Sequence, residues 1–266
     1  MPALALPLPA LSRRTGWPRP LALLGIGLAT LAAAALALAG AGGFLDGRAV
    51  KMFGAPSGAH PLAALYLSGD MGLRFGMGPH VAPALAERGV PVMGLSSSTL
   101  FGRRRTLPEV QGILADGVRE ALRRTGAEKL VLIGQSFGSD MLATALPSLP
   151  PELRERVAAV VLVVPGRTAY FRADPLGFAY RGTPDAQPAA GLRGVGWTPI
   201  ICIRGEEEKD SLCPELAGTP VRSVALPGGH FLKQDHRLLV STILDQLRAV
   251  GVVTPLIAQA AAPPLR

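Results

Sequence analysis

An α/β fold, with a mostly parallel sheet flanked by helices, is predicted by three observations. Strand-like and helical segments alternate along the chain. One strand runs into a Gly-x-Ser-x-Gly turn ahead of a helix. Further reactive residue types gather just after later strands, where parallel sheets hold their sites. The strand-like runs fall at about 62–67, 90–95, 129–134, 157–164, 198–204 and 221–226, and the helical segments near 77–88, 108–125, 138–148 and 234–249.

Ahead of this pattern, Arg13, Arg14 and Arg19 precede an apolar stretch from Leu21 to Ala41 that contains no charged residue. A basic flank followed by such a stretch reads as an export signal or a single membrane anchor, which sets residues 1–43 apart. Small residues at Ala37, Ala39 and Ala41 suit cleavage. A length of about 20 residues also suffices to span a bilayer, so both readings stand. Either places the domain at 44–252 outside the cytoplasm, because positive flanks stay inside. The Ala/Pro-rich tail at 253–266 is expected to be disordered.

The first strand, Pro61 to Leu67, opens into Ser68-Gly69-Asp70-Met71-Gly72. Its glycines let main-chain N–H groups approach a ligand, which nominates the N–H of Asp70 or Met71 as an oxyanion donor. The strand ending at Ile133 runs into Gly134-Gln135-Ser136-Phe137-Gly138. Small residues two before and two after the serine let the chain fold back sharply. Ser136 then stands exposed as a nucleophile, with the Phe137 N–H as the other donor.

After the 157–164 strand the alternation lapses into a Gly/Pro-rich excursion at 165–197, which carries five of the 13 aromatic residues. It reads either as a small cap over the serine, with Tyr170 and Phe178 as substrate-binding side chains, or as a loop tucked onto the sheet. The 198–204 strand leads to Glu206-Glu207-Glu208-Lys209-Asp210. A serine nucleophile needs an acid and then a histidine later in the chain. Asp210 is the first choice for the acid and Glu207 the second, since either can hang from that strand's end, while Glu206 to Glu208 also fit a solvated run. Cys202 and Cys213 flank this loop and either pair as a disulfide that pins the acid or remain thiols.

Val221 to Leu226 leads into Pro227-Gly228-Gly229-His230. Of four histidines, His230 alone lies beyond both serine and acid, after a strand and a Gly-Gly turn, and is the candidate base. His236 reads as a solvated helix residue, and His60 and His80 as local structure.

The first-loop string, the elbow with its extension Ser139-Asp140, the stretch Gly205 to Pro214 containing Asp-Ser-Leu-Cys-Pro, and Pro227-Gly228-Gly229-His230-Phe231 together resemble the bacterial VirJ/AcvB virulence-protein family over roughly residues 60–247. The resemblance implies an exported, periplasmic α/β-hydrolase domain. For AcvB-like members it also implies hydrolysis of the aminoacyl ester of lysyl-phosphatidylglycerol, and for others a link to type IV secretion, hence possible secretion-system partners. Carried over by motif, Ser136 is the nucleophile, Asp210 the acid and His230 the base. For an aminoacyl substrate, the acidic loop with Glu206 and Glu208 is expected to attract the ammonium. The chain departs from the family in having Met71 where Gly is usual and Leu73 where Trp is usual.

The formal charge is +8, and without Arg13, Arg14 and Arg19 the chain keeps 24 basic against 19 acidic residues, or +5. An exported basic domain is drawn to anionic phospholipid surfaces. Nucleic acid is not expected as a partner: there is no zinc spacing and no basic-aromatic interleaving, and Arg103-Arg104-Arg105 is short. The chain shows no P-loop and no metal-ligand cluster, so neither metal nor cofactor is expected. The alternative to an esterase is a non-catalytic envelope binding module on the same scaffold.

Overall fold

The structure is a computed structural model that describes residues 19–41, 49–54 and 61–252. Two units separate within it, the first ending at Ala39 and the second beginning at Gly40. In the first, the apolar leader forms one helix, α1 (Arg19–Ala41). Its stretch Pro20–Gly40 has a mean hydropathy of 2.3, and none of that apolar window is buried. At 1.5 Å per residue, 21 residues span about 32 Å, the thickness of a bilayer's hydrocarbon core. The flank at Arg13 and Arg14, His60 and the tail at 253–266 lie outside the described residues.

The second unit runs β1 (Val50–Phe53), β2 (Leu62–Leu67), α2 (Gly78–Glu87), β3 (Val92–Leu95), α3 (Ser97–Leu100), α4 (Leu107–Thr125), β4 (Lys129–Gln135), α5 (Phe137–Ala145), α6 (Pro151–Arg154), β5 (Val157–Val163), α7 (Pro188–Leu192), β6 (Ile200–Gly205), β7 (Arg222–Leu226) and α8 (His236–Ala249). The seven strands lie in the order β1-β3-β2-β4-β5-β6-β7. All neighbours are parallel except β1, which pairs antiparallel to β3 at one edge. β1 is the strand the sequence pattern does not yield. It has four residues, one of them Lys51, and only its register against β3 makes it a strand.

The sheet is covered on both faces, so its central strands are apolar throughout rather than alternating. Along β4, Leu130 and Leu132 enter the layer with Leu114 and Val118 of α4 and Met141 of α5. Val131 and Ile133 enter the opposite layer with Val81 and Leu85 of α2 and Leu239 and Ile243 of α8. Each fully buried side chain of this kind contributes about 1.5–3 kcal/mol. α4 starts on a capping box: the Thr106 N–H donates to Glu109 Oε2 at 2.8 Å, while the Thr106 hydroxyl accepts from the Glu109 N–H. It stops at Gly126, whose φ of 63° is left-handed.

Close main-chain contacts bring the strand ends together. A Cβ on Gly138 would overlap the carbonyls of Leu67 and Ser68, so α5 can start against the end of β2 only with glycine there. A Cβ on Gly205 would overlap the carbonyls of Gly228 and Gly229, which seats the end of β6 against the turn that follows β7. Cys202 and Cys213 form a disulfide that closes 11 residues around the acidic loop.

Closing a loop of this size restricts the unfolded chain by about 2–3 kcal/mol. Replacing both cysteines by alanine is expected to lower urea stability by that amount, measured by circular dichroism. An unchanged midpoint would show that the bridge contributes nothing.

Candidate active site

Ser136 sits between β4 and α5 with φ 50° and ψ −121°, a conformation unusual outside glycine that costs about 1–3 kcal/mol. Its surroundings hold it there. The Ser136 N–H donates to the Val163 carbonyl at 2.8 Å, and its own carbonyl accepts from the Asp140 N–H at 3.1 Å. The buried Ser139 hydroxyl donates to the Val163 carbonyl and accepts from the Val163 N–H, both at 2.9 Å, which ties α5 to the end of β5. Beneath the elbow, the fully buried Tyr66 hydroxyl donates to Gln135 Oε1, and burial raises the Tyr66 pKa.

Three loops meet over the serine. Ser136 Oγ lies 2.8 Å from His230 Nε2, and His230 Nδ1 lies 2.6 Å from Glu208 Oε1. The acid beside the imidazole is therefore Glu208, neither Asp210 nor Glu207. The turn after β6 decides this. The Glu207 N–H donates to the Gly228 carbonyl at 3.0 Å and the Glu208 N–H donates back to the Gly205 carbonyl at 3.2 Å, so Glu208 comes directly beneath the ring. Its side chain is 9% exposed and the imidazole 43%. The Glu207 and Glu206 side chains are exposed and do not line the cavity.

Asp210 is occupied differently. Its carbonyl accepts from the Arg167 N–H at 2.9 Å, one rung of a short ladder that includes the Gly166–Ser211 bridge and a hydrogen bond from the Leu212 N–H to the Pro165 carbonyl. Its side chain reaches the cavity wall but makes no hydrogen bond with His230. Glu208, expected as a substrate contact, is thus committed to the imidazole. Sequence order carries no signal that separates it from its neighbours; the hydrogen bond from Glu207 to Gly228 does.

The cavity measures about 660 Å³. A Cβ on Gly69 would stand 3.8 Å from that of Ser136, which places the first loop beside the serine. In that loop the Gly72 N–H donates to the Gly69 carbonyl, while those of Asp70 and Met71 make no main-chain hydrogen bond. The Phe137 N–H, at the first position of α5, has no partner within its helix. From the excursion, Tyr170 and Tyr180 line the cavity, whereas Phe171 and Leu192 are buried in the core. Phe178 does not line it and projects outward, contrary to expectation. The Tyr180 hydroxyl donates to Asp70 Oδ2 at 2.8 Å and accepts from the Asp174 N–H at 3.0 Å.

Asp140 also lines the cavity, and its Oδ1 accepts from the Gly166 N–H at 2.7 Å. Burial pushes its pKa up to about 8, against the lowering effect of that hydrogen bond. His236 departs from expectation too: its ring stacks on that of His80 at 3.8 Å, and burial followed by the His80 charge lowers its pKa.

The profile of a family described as bacterial virulence protein (VirJ) matches residues 62–250. No curated protein matches the sequence. Among solved structures, the thioesterase domain from the curacin biosynthetic pathway superposes with a TM-score of 0.53 at 16% identity, covering 73% of this chain and 94% of that one. Est1E from Butyrivibrio proteoclasticus gives 0.53 at 14%, covering 75% and 93%. The enol-lactonase from Burkholderia xenovorans LB400 gives 0.55 at 15%, covering 75% and 95%. At such identities the likeness establishes the α/β-hydrolase fold.

Burial alone would depress the His230 pKa, but the Glu208 hydrogen bond and charge outweigh it and leave the imidazole above its ordinary value of 6.5. Because the folded-state value is the higher one, the stabilisation from this pair is full below 6.5 and is lost as pH rises from there through the higher, folded-state value. An NMR titration is expected to place the His230 midpoint above 6.5, and in Glu208→Gln to move it downward. A midpoint unmoved by that substitution would show that Glu208 does not act on the ring.

Proposed function

Because this chain belongs to the bacterial virulence protein (VirJ) family and has the α/β-hydrolase fold, we propose that it is a serine esterase with Ser136 as nucleophile. The observation that carries the reading is the hydrogen-bonded series Ser136–His230–Glu208 on a strained strand-to-helix turn. His230 Nε2 takes the hydroxyl proton as Ser136 Oγ attacks the ester carbonyl, and Glu208 holds the ring in the tautomer that leaves Nε2 free and stabilises the imidazolium. The main-chain N–H groups of Phe137 and of Asp70 or Met71 receive the oxyanion. His230 then passes its proton to the leaving alcohol, and water releases the acyl group from the serine by the same steps in reverse.

The substrate we propose is an aminoacyl ester of a phospholipid, of the lysyl-phosphatidylglycerol type. Family membership supports this, and so does the cavity wall, where Asp70, Asp140 and Asp210 stand in a chain of net charge +8. An ammonium entering beside Asp140 favours its carboxylate over the neutral form that burial maintains, so the charge develops where the cationic group binds. The exposed apolar helix α1 supports export, as a signal or as an anchor in the inner membrane with the domain in the periplasm. The disulfide agrees with an oxidising compartment.

Ser136→Ala is expected to cut lysine release from lysyl-phosphatidylglycerol vesicles by about 10³-fold or more. Equal release by the variant would overturn the assignment of the nucleophile, and no release by the wild type would overturn the substrate. Asp140→Asn retains the acceptor for Gly166 but not the charge. It should raise KM for lysyl esters about tenfold while leaving uncharged acyl esters within about twofold. Equal losses on both would assign Asp140 to structure instead.

A further inference from the structure

We propose that the mouth of the cavity is a docking surface that inserts into an anionic lipid bilayer. Among the described residues of the second unit, seven large apolar side chains are exposed, and five of them belong to the loops around this cavity. Met71 and Phe75 come from the loop after β2, Leu176 and Phe178 from the excursion after β5, and Phe231 follows His230. Met71, Phe75 and Phe231 line the cavity itself, while Leu176 and Phe178 lie between Pro175 and Tyr180, which also line it. Leu176 is 77% exposed, Phe231 68% and Phe178 62%. The core accounts for none of this exposure: aromatic rings on three separate loops bear a hydration cost that burial in another medium would remove.

The occupant follows from the charges set among these side chains. The Arg181 guanidinium lies 5.1 Å from the centre of the Phe178 ring, Arg74 precedes Phe75, and Lys233 follows Phe231 by two residues, all three exposed. Apolar tips flanked by Arg and Lys match the acyl boundary and the phosphates of an anionic leaflet. The cavity's carboxylates are in part engaged within the site, Asp70 with Tyr180, Asp140 with Gly166 and Glu208 with His230. Among the described residues, the same chain also carries one helix long and apolar enough to cross a membrane. Inserting the rim turns the cavity toward the headgroup layer, where a headgroup ester reaches Ser136 without leaving the bilayer. This orientation rests on the esterase reading only for what happens after docking.

The test uses the chain beginning at Phe44, because both core layers are built from residues of the second unit and α1 would itself bind lipid. Wild type, Ser136→Ala, and Leu176→Ser combined with Phe178→Ser are sedimented with phosphatidylglycerol vesicles and with phosphatidylcholine vesicles. Wild type and Ser136→Ala should bind phosphatidylglycerol alike and phosphatidylcholine more weakly. The double variant should bind phosphatidylglycerol roughly tenfold more weakly while hydrolysing a short soluble ester at the wild-type rate. Absence of wild-type vesicle binding, or undiminished binding by the double variant, would overturn the proposal. So would a wild-type dimer that the double variant dissolves, with no vesicle binding, since the rim would then join copies of the chain. Vesicle binding without hydrolysis of any ester would sustain the docking surface and refute the esterase.

Discussion

Main chains that touch with no side chain between them are the constraint on which this site depends. At Gly138 the start of α5 lies against the carbonyls ending β2, and at Gly205 the end of β6 lies against the carbonyls ahead of His230. The first contact sets the elbow beside the loop of Asp70 and Met71. The second brings the acidic turn under the imidazole. With the strand ends this close, Ser136 lies 2.8 Å and Glu208 2.6 Å from the two ring nitrogens of His230. Packing of two large apolar layers on the sheet provides the rigidity against which the strained φ of Ser136 is held.

The electrostatics follow from this crowding. One imidazole has carboxylates at Glu208, Asp140 and Asp70 acting on it, and each is handled differently. Glu208 is hydrogen-bonded to the ring, Asp140 is held largely neutral by burial, and Asp70 is capped by the Tyr180 hydroxyl. Each further negative charge in this cavity would oppose the formation of another anion within it. Keeping the Asp140 carboxyl largely neutral limits that penalty.

Much of this was legible in the residues, and the part that was not has a definite cause. The strand and helix alternation, the elbow at Ser136 and the Gly-Gly turn before His230 are local patterns, and local geometry settles them. The acid is not legible there, because Glu206, Glu207, Glu208 and Asp210 are equivalent to any rule based on order alone. What separates them is the contact between Glu207 and Gly228, a pairing across two strands that no window of sequence contains. β1 was missed for the same reason, since it is a strand only by virtue of β3. In the excursion, composition could mark the aromatics as purposeful but could not sort them. Tyr170 and Tyr180 face the cavity, Phe171 enters the core, and Phe178 faces outward.

The Tyr180 hydroxyl has a role in the hydrogen bonding that its position in an irregular segment does not advertise. It joins the Asp174 main chain to the Asp70 carboxylate, and so couples the wall of the cavity to the loop of Asp70 and Met71 beside Ser136. The position of the aromatic wall and the position of that loop are consequently not independent variables. A group that displaces the aromatic wall pulls on the loop through one phenol, so two walls of the cavity move on a single lever.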